Sequence, residues 1–135
     1  MTPSIRSAGY CDLIALTGYA RAGKDEAAKP LIDAGWARRC FGDVIKRQID
    51  PIVREYLNFS AFTENDGQKQ QIRPILEQWG EVNYDGIMLE FFESLPPRCV
   101  NTRLCRVREA REWRKRGGIV VEVRRMTNEI GRAHV

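Results

Sequence analysis

The chain has 135 residues, of which 43% are hydrophobic and 30% charged, a balance that suits one folded domain with a real core. No apolar run approaches the length needed to cross a bilayer. Residues 1–10 lack the basic start and apolar stretch of a secretory signal, so a cytoplasmic setting without a membrane partner is expected. The net charge of +4 favours acidic partners, and charge alone does not choose between a nucleotide and a nucleic acid. Cys11, Cys40, Cys99 and Cys105 form no CxxC pair, which argues against a zinc site, and reduced thiols in apolar segments act as small hydrophobes.

Residues 12–17 form a short, mostly apolar run ending at Gly18, the pattern of a strand buried on both faces. Residues 23–33 then predict a helix with Ala27, Ala28, Leu31 and Ile32 on one face, kinked or shortened at Pro30 and stopped at Gly35. Residues 36–41 predict a short second strand, and residues 43–57 a helix broken near Pro51. Two further helices are expected over 68–79 and 81–95, with Gly80 between them and Pro96-Pro97 ending the second. Residues 99–102 predict a third strand. Val107, Ala110 and Trp113 mark the inner face of a strongly charged helix closed by Gly117-Gly118, and residues 119–123 predict another strand. Strand and helix alternate, which predicts an α/β fold of three layers, a parallel sheet between helices, in one domain over residues 1–128.

The last residues, 129–135, read as the in-frame translation of a sequencing-library adapter, and the alternative is an ordinary polar C-terminus. On the first reading the native part ends near Asn128. His134, the one histidine, lies in that tail, so histidine catalysis is not expected.

Gly18-Tyr19-Ala20-Arg21-Ala22-Gly23-Lys24-Asp25 follows a predicted strand and opens a predicted helix. In that setting glycines let backbone N–H groups approach an anion, and the helix adds its dipole and unpaired first-turn amides. A lysine after the second glycine supplies a point charge for terminal phosphates. The segment is therefore read as a phosphate loop (Walker A) for a nucleotide. Asp25 stands where such loops carry Ser or Thr for Mg²⁺, and a carboxylate there can take the metal or simply favour the helix start.

With Gly-Lys-Asp in that loop, the sequence resembles the bacteriophage deoxynucleoside monophosphate kinase family. Phe41-Gly42-Asp43-Val44-Ile45-Lys46, Arg73-Pro74-Ile75-Leu76-Glu77-Gln78-Trp79-Gly80, and Asn101-Thr102-Arg103-Leu104 with Glu109-Ala110 and Gly117-Gly118 resemble later family segments in the same order, across residues 12–125. The resemblance implies the P-loop nucleoside monophosphate kinase fold, with ATP and Mg²⁺ as cofactors and a deoxynucleoside monophosphate as acceptor. It further implies that Lys24 and Arg103 are catalytic and that Gly18, Tyr19, Ala20, Arg21, Ala22, Gly23, Lys24 and Asp25 hold the donor. Asp25 would assist the metal, and Asp43, Lys46, Arg73 and Gln78 would bind the acceptor. Asn101 stands where the family has Asp. The family continues beyond Arg124-Arg125 with a further strand and a base-binding loop, so the last strand is expected to be missing and residues 1–135 alone to be inactive as a kinase.

Other readings stay open. Lys46 and Arg73 could be solvated helix charges. Arg106, Arg108, Arg111, Arg114, Lys115 and Arg116, interleaved with Glu109 and Glu112, read as a wet helix face, while Trp79, Phe91, Phe92 and Trp113 read as core. A kinase of another phosphorylated metabolite is the nearest alternative. A basic nucleic-acid-binding module using the charged helix is the more distant one, and nucleic acid is not the expected partner.

Overall fold

A computed structural model of the chain describes residues 12–19 and 21–124. Its elements in chain order are β1 (Leu13–Thr17), α1 (Lys24–Asp33), β2 (Ala37–Arg39), α2 (Phe41–Leu57), α3 (Asp66–Val82), α4 (Tyr84–Glu93), β3 (Cys99–Asn101), α5 (Val107–Lys115) and β4 (Ile119–Glu122). They fall into two compact units. One takes the chain up to Arg39 and again from Pro96, and the other is Cys40–Leu95.

The first unit holds a four-stranded sheet in the order β2-β3-β1-β4, parallel throughout. β1 lies between two neighbours, which explains its unbroken apolar run: Leu13, Ala15 and Leu16 are buried. β2 and β4 are edges, and Arg38 and Arg39 of β2 are accordingly exposed. α1 lays Ala28 and Leu31 against Ile14, Leu16 and Val100. The step from β1 to β2 passes over β3, and the step from β3 to β4 passes over β1 in the opposite direction. Right-handed crossovers of opposite direction put α1 and α5 on opposite faces, giving the expected layering of helix, sheet and helix. The same reversal makes the carboxyl ends of β1 and β3 a topological switch point, where α/β sheets receive ligands.

Several helix details differ from the sequence expectation. α1 runs through Pro30 to Asp33, and its inner face is Ala28 with Leu31, whereas Ala27 and Ile32 are exposed. On α5 Val107 points outward, and Glu109 joins Trp113 on the buried side. The buried Glu109 carboxylate accepts from the amide of Cys105 at 3.2 Å, so a charged residue closes the turn that starts its own helix.

The second unit is three helices. Ile49, Val53, Ala61 and Ile72 form a core with Leu57, Phe59, Leu76 and Trp79 packed against it. Phe41, Phe91 and Phe92 form an aromatic cluster, with ring centroids 4.5 Å apart for Phe41–Phe91 and 5.1 Å for Phe91–Phe92. α2 is continuous through Pro51 rather than broken there, and α3 runs through Gly80 to Val82. Gly80 is a point of close approach: a Cβ there would lie 3.2 Å from Ile45 Cδ1. The break falls at Asn83, whose side-chain amide donates to Gln48 Oε1 at 3.0 Å. That same oxygen accepts from Trp79 Nε1 at 2.8 Å, and Gln48 Nε2 donates to Glu90 Oε1 at 2.8 Å, so one glutamine ties all three helices.

Candidate functional site

β1 hands the chain to the glycine loop at the switch point. Gly18 has φ 148°, and a Cβ on it would lie 2.5 Å from the backbone oxygen of Val123, so only glycine lets the loop leave between its neighbours. A turn follows, closed by Ala22 N–H donating to Tyr19 O at 3.1 Å, and Arg21 takes a positive φ of 65°. Gly23, at φ 98°, is the N-cap of α1, and no side chain caps that helix. The first-turn amides of a helix have no partner within it, so a ten-residue helix opens here with its amide end facing the loop.

Lys24 folds back over the loop, its Nζ donating to Gly18 O at 2.9 Å. That bond holds the ammonium across the mouth of the loop. Tyr19 is exposed, and Ala20 lies outside the described residues. Asp25 is also exposed; its nearest cation is Arg38, 3.9 Å away, a pair too open to fix the carboxylate.

The opposite wall comes from the segment after β3. Residues Arg21, Gly23, Lys24, Thr102 and Arg103, with the carboxylates of Asp25 and Glu26 and the thiol of Cys105, line one cleft of about 770 Å³, within the size range of small-ligand sites. The Arg103 amide donates to Asn101 Oδ1 at 2.9 Å, which fixes the bend that turns the chain into the cleft. Two buried polar atoms here have no hydrogen-bond partner, Asn101 Nδ2 and Thr102 Oγ1. Cys105 is exposed, whereas burial pushes the Cys99 thiol up to about 11 against the smaller opposing effect of Arg39. Cys99 is thus a packing residue.

The structure brings Lys24, Arg21, Asp25 and Arg103 to one cleft. The four residues expected to hold an acceptor lie in the second unit. Asp43 and Lys46 share the start of α2, half-buried, with Lys46 Nζ 5.9 Å from the centroid of Phe62. Arg73 and Gln78 are exposed on α3. Five residues of helix separate them by about 140° around the axis, so they do not share a face. The adapter-like tail, His134, Asn128, Arg125 and Cys11 lie outside the described residues.

Thr102 and Glu109 were missed by sequence reasoning. Thr102 was read as the last residue of a strand, whereas β3 ends at Asn101 and Thr102 falls in the cleft lining. Among the described residues no three His, Cys, Asp or Glu side chains gather as a metal site, and no helix is long and apolar enough to cross a membrane. No family model, curated protein or solved structure matches this chain.

Proposed function

We propose that the chain carries a phosphate loop that serves to move the terminal phosphoryl group of ATP to a deoxynucleoside monophosphate in the cytoplasm, and that its α/β sheet is of the nucleoside monophosphate kinase type. The observation that carries this reading is Lys24 folded over an uncapped helix N-terminus, with Arg103 on the facing wall of the same cleft. Amides, an ammonium and two guanidiniums around one space suit a polyphosphate, whose charge they would offset without reorganisation. The glycine cradle and the unpartnered Thr102 hydroxyl both fit such a ligand. Asp25, the carboxylate of the cleft at the position that serves Mg²⁺ in other phosphate loops, would help hold the metal, which would supply charge neutralisation.

In the transfer the bond between the terminal phosphorus and its bridging oxygen breaks, ADP leaves, and an oxygen of the acceptor monophosphate bonds to that phosphorus. Lys24 and Arg103 would hold the transferring group as charge spreads over its oxygens. The second unit carries Asp43, Lys46, Arg73 and Gln78 as acceptor-side candidates.

The test is a panel of phosphorylated acceptors offered with labelled ATP to the full-length gene product. Diphosphate formation from deoxynucleoside monophosphates is expected. Transfer only to a non-nucleotide phosphate would replace the acceptor, and no transfer to any acceptor would remove the kinase reading.

A further inference from the structure

A phosphate loop normally carries a hydroxyl directly after its lysine. Here that place holds Asp25, which is exposed and only loosely paired with Arg38. Across the cleft Thr102 is 1% exposed, and its Oγ1 has no hydrogen-bond partner. A hydroxyl shut away from water and left unbonded is costly, so such a group marks either a misfit or a waiting ligand. Its place separates the two cases. Val100 of β3 packs with Ala28 and Leu16 on the α1 side of the sheet. Thr102 lies just past the end of β3 and lines the cleft with Gly23 and Lys24. The residue that carries the orphan hydroxyl is therefore a wall of the same cleft that the start of α1 lines.

We propose that Thr102 is a ligand-binding residue whose hydroxyl, just past the end of β3, donates to a phosphate oxygen of the bound polyphosphate. The proposal rests on the phosphate-binding reading of the cleft. A neutral donor suits this place, because it needs no compensating charge when the cleft is empty, whereas a buried cation would. Its partner is an anionic acceptor, and hydrogen bonds to charged groups are the stronger kind.

The experiment compares the wild-type chain with Thr102→Val and Thr102→Ser. ATP binding is measured by calorimetry with and without Mg²⁺, and unfolding by thermal melts. Thr102→Val keeps the shape and removes the hydroxyl, so its melting temperature is expected to match or exceed that of wild type. ATP affinity is expected to fall about tenfold both with and without Mg²⁺, and Thr102→Ser is expected to keep most of it. Unchanged affinity in Thr102→Val overturns the proposal. A loss seen only with Mg²⁺ also overturns it, because the hydroxyl would then serve the metal's water shell. A wild-type chain that binds no ATP defeats the phosphate-loop reading itself, which is a different outcome from wild-type binding that Thr102→Val leaves untouched.

Discussion

Gly18 shows how little freedom the loop has. Its φ of 148° and the 2.5 Å between a would-be Cβ and Val123 O forbid a side chain on two separate grounds. Gly18→Ala is expected to destabilise the first unit by about 1–3 kcal/mol from backbone strain alone and to displace Lys24 Nζ from its acceptor. Thermal unfolding checks this, and a variant as stable as wild type would show that the loop has another way out of β1. The loop was legible in the sequence because its glycines and lysine are defined by local spacing. Thr102 was not, because its lack of a partner arises only when β1 and the segment after β3 close around it. Glu109 was misread for a similar reason. Its charge suggested solvent, yet the amides after Arg103 supply it with donors inside the fold.

Among the elements, α2 depends on a carboxylate that the chemical motifs did not single out. Asp50 Oδ2 accepts from Arg54 Nε at 2.7 Å, while Oδ1 accepts from Ser60 Oγ at 2.9 Å and from the Ala61 amide at 2.7 Å. The Arg54 hydrogen bond, helped by the Ala61 amide, holds its carboxyl below the ordinary value of 3.8. A folded-state value below the unfolded one means that the contribution is present above the unfolded pKa and is lost as pH falls through the folded value. Asp50→Asn is expected to melt below wild type at neutral pH, with the difference closing as the medium becomes more acid than 3.8. Melting curves that stay parallel from neutral to acid pH would show that Asp50 carries no such linkage. Helix existence was legible from apolar spacing, but helix ends were not. Pro51 and Gly80 were read as breaks from local chemistry, and packing overrode both. Gly80 accommodates Ile45, and Asn83, held by Gln48, takes the break instead.

For the whole molecule, alternation of strand and helix announced a parallel sheet, and the sheet is parallel. The order β2-β3-β1-β4 was beyond local reading, since it depends on which strand each crossover passes over. So was the division that puts Cys40–Leu95 in a compact unit of its own. The switch point between β1 and β3 is the consequence that matters for function, because it sets Lys24 and Arg103 on facing walls of one cleft. The central claim is that this cleft binds a polyphosphate through Lys24. Calorimetric titration of ATP into the wild-type chain and into Lys24→Ala tests it most directly. Saturable binding by wild type and at least about tenfold weaker binding by Lys24→Ala are expected, with unfolding temperatures that agree because Lys24 sits half-exposed at the loop mouth. Equal affinity in the two proteins, or no ATP binding by a folded wild type, would contradict the account.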